Sequence, residues 1–468
     1  MNTKALRQKI LDLAIHGKLV PQDPNDEPAS VLLERIRAEK ERLIKEGKIK
    51  KPKKSKAACD KPHYPFELPK GWVWTTLGEI GSWQSGATPS RMNKDYYGRN
   101  IPWLKTGDLN DGTIIYIPEY ITQRALEETS VRLNPKGSVL IAMYGATIGK
   151  IGILSFPATT NQACCACYEY SINQMFLFYF LLANRENFIA MGGGGAQPNI
   201  SKEKIISTNM PLPPLKEQER IVEEIERWLS FVDIVEKEKS DLQLTICLAK
   251  SKILDLAIHG KLVPQDPNDE PASELLKRIN PKAVITCDNP HYQNLPFSLP
   301  NSWIWCCHNQ IFDISGGSQP PKSQFSIRPK SGYIRLYQIR DYGENPVPVY
   351  IPIESATKRT AKGDILLARY GGSLGKVFIA EDGAYNVAMA KVIIKSKGLI
   401  FKNYAYYYYL SNLYQRKLTE ISRTAQAGFN AGDFEDLFFP LPPYNEQKRI
   451  VDAINKAFTT LDRIMVNL

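Results

Sequence analysis

The stretch KILDLAIHGKLVPQDPNDEPAS, residues 9–30, returns without a change at residues 252–273. In each copy an apolar segment runs into His-Gly and then into a turn rich in Pro, Asp and Asn. Gly often follows the last residue of a helix because it adopts positive φ without strain. We therefore predict that Gly260 ends a helix, and that the chain contains one structural unit twice.

The repeat extends well beyond this stretch. LPKGWVW at Leu68 returns as LPNSWIW at Leu299, and PLPPLKEQERIVEEIE at Pro211 returns as PLPPYNEQKRIVDAIN at Pro440. GSVLIAMYGATIGKIGIL at Gly137 likewise returns as GDILLARYGGSLGKVFIA at Gly363. Offsets that stay in register over the whole chain predict a duplicated unit of about 230 residues with small insertions.

Composition limits the class of protein. The 468 residues are 43% hydrophobic, which supports several cores, and 60 Lys and Arg against 49 Asp and Glu give a net charge of +11. A basic balance favours a polyanionic partner such as nucleic acid. Eight irregularly spaced Cys indicate reduced thiols. No apolar run is long enough to span a membrane and MNTKALRQKI lacks a signal-peptide core, so we expect a cytoplasmic protein.

A long helix is predicted from Lys216 to about His259, where the chain has no Pro and its apolar residues follow a heptad pattern. At 1.5 Å per residue it would be about 66 Å long. The pattern is interrupted only at Lys239. Its stripe consists of Ile221, Ile225, Trp228, Val232, Val235, Leu242, Ile246, Ala249, Ile253 and Leu256.

The second copy of this helix is predicted to start at Glu446 and to stop at the last residue, Leu468, halfway along the pattern. The N-terminal segment supplies the missing half, because it runs into the same HGKLVPQDP turn. We therefore expect two antiparallel long helices, one of them built from both chain ends. The stripe of this second helix consists of Ile450, Ile454, Ala457, Leu461 and Ile464, continued by Leu6, Ile10 and Leu13.

These motifs resemble a known family. LPKGWVWTTLGEI, GATPSR, IPWLKTGDL and PLPPLKEQERIVEEIE, repeated as LPNSWIW, GGSQPPK and PLPPYNEQKRIVDAIN, look like the specificity subunit of type I restriction–modification enzymes. The resemblance covers essentially the whole chain. It implies two target-recognition domains, each reading half of a split double-stranded DNA site, and helices that dock two methyltransferase subunits, with restriction or translocase subunits as further partners.

The predicted fold class is α/β (α+β), with two mixed domains joined by long antiparallel coiled-coil helices in a circular, pseudo-two-fold repeat. Strand-rich texture marks the domains, with short apolar runs such as SVLIAMY and KVIIK between Gly and Pro. SINQMFLFYFLLAN at Ser171 and FKNYAYYYYLSNLYQRKL at Phe401 are predicted to be matching helices within the two domains. The predicted segments are 1–62 (helix, turn, second helix and basic linker), 63–212 (first recognition domain), 213–290 (long helix with the following turn and helix), 291–441 (second recognition domain) and 442–468 (C-terminal helix). The basic run KIKKPKKSK, residues 48–56, is interpreted as a flexible linker, with a phosphate-contacting arm as the alternative.

Motifs for catalysis do not fit. GATIGK at Gly145 and GGSLGK at Gly371 are one residue shorter than a phosphate-binding loop and lack Ser or Thr after Lys. We therefore predict a structural role for both as strand-to-turn segments, with phosphate contacts by Lys150 and Lys376 as the alternative. CCAC at Cys164 has no second ligand pair with zinc spacing. We therefore predict a non-catalytic chain that holds no metal or cofactor. In the family it resembles, methyl transfer and cleavage belong to other subunits, so S-adenosylmethionine, ATP and Mg are expected only there. The alternatives are a fused restriction–methylation enzyme and a two-headed protein scaffold.

Base-reading residues are sought among Arg, Lys, Asn, Gln, Ser and Thr on loops, because these side chains bond to base edges and phosphates. The candidates in the first half are Thr88, Ser90, Arg91, Lys105, Lys150, Gln197 and Asn199. Those in the second half are Ser318, Gln319, Lys322, Gln338, Arg340, Arg369, Lys376, Arg423, Gln426 and Asn430. Four tryptophans, at 72, 74, 303 and 305, alternate as on strands and are predicted to be core residues.

Overall fold

The computed structural model describes residues 2–47, 64–193, 198–279, 281, 295–424 and 429–467, without the side chains of residues 371 and 422–424. Its contacts divide the chain into unit 1, Met1–Glu238, and unit 2, Lys239–Leu468. The basic run at 48–56, Gln197, Gln426, Leu468 and the side chain of Arg423 lie outside this description. Each unit mixes helices with short strands, which confirms the predicted fold class.

Unit 1 begins with two helices that precede its sheets. The helices are α1 Thr3–Ile15, α2 Ala29–Lys45, α3 Leu77–Ile80, α4 Gln123–Glu128, α5 Gln174–Ala183, α6 Arg185–Met191 and α7 Lys202–Ile206. The strands are β1 Val73–Thr76, β2 Ser82–Ser85, β3 Tyr97–Leu104, β4 Gly112–Ile114, β5 Tyr120–Ile121, β6 Val139–Ala142, β7 Ile151–Leu154, β8 Thr159–Thr160, β9 Cys164–Tyr168 and β10 Asn209–Leu212. Helix α8, Leu215–Ile258, starts in unit 1 and ends in unit 2.

Unit 2 repeats this order. Its helices are α9 Ala272–Ile279, α10 His308–Ile311, α11 Lys402–Leu410, α12 Asn412–Thr424 and α13 Tyr444–Val466. Its strands are β11 Ile304–Cys307, β12 Phe312–Gly316, β13 Tyr333–Tyr337, β14 Tyr350–Pro352, β15 Arg359–Thr360, β16 Ile365–Ala368, β17 Val377–Ile379, β18 Gly383–Tyr385, β19 Met389–Ile394 and β20 Phe438–Leu441.

The sheets of the two units correspond in strand order, except for one additional strand in each unit. In unit 1 the sheet orders are β1-β10, β2-β9-β6-β7-β4 and β5-β3-β8, and in unit 2 they are β11-β20, β12-β19-β16-β17 and β14-β13-β18-β15. The β3–β8 pair and its counterpart β13–β18 are both parallel. Strands β4 and β15 lack such a counterpart in the described parts of the chain. The duplication seen in the sequence is therefore a duplication of structure.

The predicted long helix is present. Helix α8 has 44 residues, Leu215–Ile258, and the sequence predicted a helix from Lys216 to about His259. Its stripe is most buried near the domains, at Ile221, Ile225 and Val232 in unit 1 and at Ile246 in unit 2. Ile253 and Leu256 are half-buried. Between these regions Val235 and Leu242 are about two-fifths exposed, and Trp228, one step before Val232, is exposed to the same degree. The stripe therefore packs mainly where the helix meets a domain.

The chain ends supply the partners of α8, each within its own unit. In unit 1 Arg7 of α1 forms ion pairs with Asp233 and Glu236 of α8. In unit 2 Lys250 of α8 forms the equivalent ion pair with Asp462 of α13. Buried stripe residues accompany both contacts, namely Ile10 in α1 and Ile450 and Ile454 in α13, while Leu13 and Leu461 are half-buried and Leu6 and Ile464 are exposed.

The start of α8 is bound to the rest of unit 1 by two adjacent buried residues. Gln218 accepts the backbone N–H of Asn173 at 2.9 Å and donates to the carbonyl of Pro213 at 2.9 Å. The Glu217 carboxylate accepts Trp72 Nε1–H at 3.0 Å and an amide N–H of Gln22 at 3.1 Å. One helical turn thus joins α8, the strand-rich part of unit 1 and the turn after α1.

Unit 2 repeats this joint at the start of α13. Gln447 accepts the N–H of Phe401 at 2.7 Å and donates to the carbonyl of Leu399 at 3.0 Å. Glu446 accepts an amide N–H of Gln265 at 2.7 Å, which fastens the second HGKLVPQDP turn. Burial raises the pKa of Glu446, as it does that of Glu217. Both copies of the turn therefore dock on the same kind of helix start. In unit 1 the start of α8 runs antiparallel to α1, and in unit 2 α13 runs antiparallel to the end of α8.

The glycine in the turn has the predicted conformation. Gly260 has φ +65° and its counterpart Gly17 has φ +64°. A Cβ at either position would lie 2.4 Å from a proline ring, that of Pro300 or Pro69. Both the backbone angle and the close approach therefore require Gly here.

Among the local predictions, one helix needs adjustment and most of the predicted core residues are confirmed. FKNYAYYYYLSNLYQRKL, predicted as one helix from Phe401, forms two, because Ser411 is extended and its hydroxyl bonds to the Tyr408 carbonyl at 2.6 Å. The predicted core tryptophans are buried at 72, 303 and 305, while Trp74 is half-buried and stacks on Tyr64. The CCAC segment is strand β9 and its cysteines are buried and free.

The Gln218 joint gives a testable prediction. In Gln218→Leu the Asn173 N–H and the Pro213 carbonyl lose their partner in a buried place, so we expect the free energy of unfolding of unit 1 to fall by about 2–4 kcal/mol. Hydrogen–deuterium exchange should show faster exchange at Asn173 and β10, with unit 2 unchanged. The exposed neighbour serves as the control in Lys216→Leu. Equal protection of unit 1 in Gln218→Leu and in wild type would contradict the role of the joint.

Candidate nucleic-acid interface

The first candidate loop, residues 86–91, is fixed to the sheets of unit 1 by its backbone. The N–H of Gly86 bonds to the Cys164 carbonyl and that of Ala87 to the Thr160 carbonyl, both at 3.0 Å. A Cβ on Gly86 would lie 2.3 Å from the carbonyl oxygens of Thr160 and Asn161, so only Gly fits. Because the frame is held in this way, the exposed side chains that follow are presented from a defined backbone. They are Thr88, Ser90 and Arg91.

Two candidate cations of unit 1 meet beside a buried tryptophan. Trp103 at the end of β3 donates its Nε1–H to the Ala87 carbonyl at 3.0 Å. The Arg91 guanidinium lies 5.1 Å from the centre of the Trp103 ring, and the Lys105 ammonium lies 5.8 Å from it. Both also form ion pairs with Glu119, Arg91 at 3.4 Å. The structure therefore brings together Arg91 and Lys105, which the sequence placed on different segments.

A second group of candidates in unit 1 surrounds the turn after β6. Tyr144 pairs with Asn199 in an isolated bridge, and the N–H of Gly145 bonds to the Pro198 carbonyl at 2.9 Å. Asn199 is exposed and Lys150 is half-buried. GATIGK is thus a turn between β6 and β7, followed by a strand. A phosphate-binding loop is followed by a helix whose N-terminus holds the phosphate, so this turn has the structural role that the sequence suggested.

Unit 2 holds its equivalent loop, residues 317–322, with the same bonds. The N–H of Gly317 bonds to the Met389 carbonyl at 3.0 Å and that of Ser318 to the Tyr385 carbonyl at 3.2 Å. A Cβ on Gly317 would lie 2.0 Å from the Asn386 carbonyl oxygen. Gln319 and Lys322 are exposed on this loop and Ser318 is half-buried.

Arg369 links the remaining candidates of unit 2. Its guanidinium donates to the Phe429 carbonyl at 3.1 Å and to Asn430 Oδ1 at 3.3 Å, and it lies 5.1 Å from the Tyr370 ring centre. It also lies next to Gly316, the last residue of β12 before the loop. The other described candidates in this unit are Arg340 and Lys376, which are exposed, and Gln338, which is half-buried.

Sequence reasoning missed the acidic residue at the centre of the unit 1 group. Glu119 lies in IYIPEYIT, residues 115–122, where no spacing pattern marks it. Its backbone carbonyl accepts the backbone N–H of Trp103 at 2.8 Å beside the β3–β5 pair, and this bond places the Glu119 side chain next to Arg91 and Lys105. Gln162, which bonds to Thr88, was missed for the same reason.

Buried titratable groups offer no open reaction centre among the described residues. Burial raises the pKa of Cys165 to about 12, so the CCAC thiols do not ionise readily. Burial also lowers the pKa of His308 to about 4. This ring is fully enclosed, bonded to the Tyr409 hydroxyl at 2.8 Å and to the Asn309 side chain at 2.9 Å. Its counterpart in unit 1, by the equivalent backbone bond, is the buried Leu77, so the position is a packing position.

The fold and these loops define a class of protein. It is a duplicated binding protein, in which two units hold equivalent loops on the same backbone frame and present different polar side chains from them.

In the described part of the chain no helix is both long and apolar enough to cross a membrane.

Comparison with known proteins identifies the family. The model of the type I restriction modification DNA specificity domain matches residues 69–244 and again residues 300–465. The chain is 32% identical to the EcoAI specificity subunit of Escherichia coli, over 67% of this chain and 63% of that protein. It is 27% identical to the EcoEI specificity subunit of Escherichia coli, over 99% of this chain and 90% of that protein.

A solved structure from the type I restriction–modification system has a related fold, with a TM-score of 0.61 at 20% identity, covering 86% of this chain and 94% of that one. The chain therefore belongs to the family of type I restriction–modification DNA specificity subunits, as its motifs suggested. The family model matches once in each half of the chain, and the fold is duplicated in the same way, so the chain has two specificity domains.

The buried histidine gives a prediction for pH. Between pH 6.5 and about 4 the unfolded His308 binds a proton and the folded one does not, so unit 2 should lose stability as the pH falls, by up to about 3 kcal/mol. His308→Leu, the residue found in unit 1, should remove this pH dependence, although the unpaired Tyr409 hydroxyl will lower stability at pH 7. Urea unfolding followed at pH 7 and pH 5 checks this. The same difference between the two pH values in both proteins would contradict it.

Proposed function

We propose that each unit reads one half of a split site in double-stranded DNA. The observation that carries this is the pair of loops at 86–91 and 317–322, held by equivalent backbone bonds to the sheets behind them. On that common frame unit 1 presents Thr88 and Arg91 where unit 2 presents Gln319 and Lys322. Side chains of these types bond to base edges in the major groove, and different side chains read different bases. Because the two loops present different side chains, the two half-sites should have different sequences.

The remaining candidates would supply base contacts and phosphate contacts around these loops. Arg369 and Asn430 lie together in unit 2, as Asn199 and the turn before Lys150 do in unit 1. Phosphate contacts position a protein on DNA and base contacts select the sequence. The net charge of +11 favours the first kind of contact at both units.

We further propose that the chain docks two methyltransferase subunits, one for each copy of the turn and joint. Identical sequences at 9–30 and 252–273 carry equivalent contacts, including an Asp26–Arg220 ion pair and an Asp269–Arg449 ion pair, each at 2.6 Å. Two equal surfaces predict two equal partners. Restriction or translocase subunits would join this complex.

In this proposal the chain itself is not catalytic. The partner subunits would bind S-adenosylmethionine, ATP and Mg and would carry out methyl transfer and cleavage. The work of this chain would be to select the DNA and to hold its partners on it, in the cytoplasm.

The DNA proposal predicts a split methylation motif. In cells that carry the chain with the modification subunit of its own host, methylation-sensitive sequencing should find two unlike half-sites separated by unspecified bases. Cells that lack the chain are the control and should lose the motif. Sequence-independent methylation, or an unbroken motif, would contradict the proposal, and a chain that binds its partners without any DNA preference would be a protein scaffold.

The partner proposal predicts a stoichiometry. At saturation, native mass spectrometry should find two methyltransferase subunits on one chain. Asp269→Asn weakens the second turn contact with Arg449 and should reduce occupancy to one subunit, while Asp26→Asn should do the same at the first turn. One bound subunit on the wild-type chain at saturation would show that the two surfaces are not equivalent.

A further inference from the structure

An acidic residue at the centre of a DNA-reading surface is unexpected. DNA phosphates repel carboxylates, so an acid in such a place needs neighbouring cations that neutralise it, and it can then still accept a hydrogen bond from a base. Glu119 is in this position, with about a third of its side chain exposed, between Arg91 and Lys105. Cytosine offers the matching group, because its exocyclic amine donates a hydrogen bond in the major groove.

The two cations are held so that the carboxylate stays accessible from one side. The Arg91 guanidinium lies 4.7 Å from the centre of the Tyr97 ring as well as near Trp103, which fixes it without using all of its N–H groups. Lys105 bonds to the other carboxylate oxygen of Glu119. Arg91 and Glu119 line an open depression of about 680 Å³, together with Arg99 and Tyr120.

Unit 2 lacks this charged group at the equivalent place. The backbone bond from Trp103 to Glu119 corresponds to a bond from Leu336 to Val349, so a buried valine replaces the carboxylate. Gln338 replaces Lys105, because the backbone N–H of each donates to the carboxylate of an equivalent Asp at 2.8 Å, that of Gln338 to Asp341 and that of Lys105 to Asp108. A charged cluster that only supported the shared frame would be expected in both units. Among the described residues this cluster occurs in unit 1 and not at the equivalent place in unit 2, which ties it to what unit 1 reads.

We propose that Glu119 and Arg91 together read one G·C base pair in the half-site of unit 1. Glu119 accepts a hydrogen bond from the cytosine amine, and Arg91 donates to O6 and N7 of the paired guanine. Lys105 is a positioning residue that holds the carboxylate. This inference rests on the proposed function, since it names residues and a base pair within the half-site that unit 1 would read.

The test compares methylation motifs of three variants with wild type, each full-length and co-expressed with the modification subunit. Glu119→Gln and Arg91→Gln should both relax the motif at the same G·C position of one half-site, by about tenfold to a hundredfold in relative methylation. The other half-site should not change. Glu128→Gln removes a comparable carboxylate, which bonds to Arg124 at 2.9 Å in the same unit, and should leave the motif as it is.

The possible outcomes separate this inference from the proposed function. If wild type has no split motif, the proposed function fails and this inference fails with it. If wild type has one, the inference alone fails when the variants leave the motif unchanged, relax different positions or relax an A·T pair. Thermal unfolding shows whether each variant is folded. If Glu119→Gln does not fold, the motif of Arg91→Gln alone tests the inference.

Discussion

The structure depends most on the Glu-Gln pair at the start of each long helix. Gln218 and Gln447 are fully buried, and each holds a backbone N–H of its recognition domain and a carbonyl just before its own helix. The adjacent carboxylate of Glu217 or Glu446 holds the HGKLVPQDP turn. A buried polar group is costly without partners, so these contacts must form together or not at all. One helical turn thereby fixes the helix, the turn and the domain of a unit relative to each other.

This joint separates what is constant in the chain from what varies. The turn sequence is the same in both units and its contacts with the helix start are equivalent, as the proposed docking of two identical partners would require. The loops at 86–91 and 317–322 share their backbone bonds, their first Gly and the Pro at 89 and 320, while the residues at the other positions differ. Backbone–backbone bonds tolerate changes of side chain, so such a frame allows a binding surface to change while the fold stays the same.

Much of the fold could be predicted from the sequence because its signals are periodic or repeated. The heptad stripe predicted α8, and the exact repeat predicted two similar units and Gly260 at a helix end. The site was harder, since its contacts join residues far apart in sequence. Nothing in IYIPEYIT marks Glu119 as the partner of Arg91 and Lys105, and the letters EQ do not show that Gln218 will bond to Asn173. The break at Ser411 was missed because a single serine does not interrupt an otherwise helical pattern.

The central claim is that the two units are independent readers on a shared frame. Exchanging residues 63–210 for the matching domain of a relative with another target tests it most directly, with the methylated motif as the measurement. The claim predicts that one half of the motif takes on the relative's sequence while the other half keeps every letter. A hybrid protein that folds and methylates DNA but has both halves altered would contradict it.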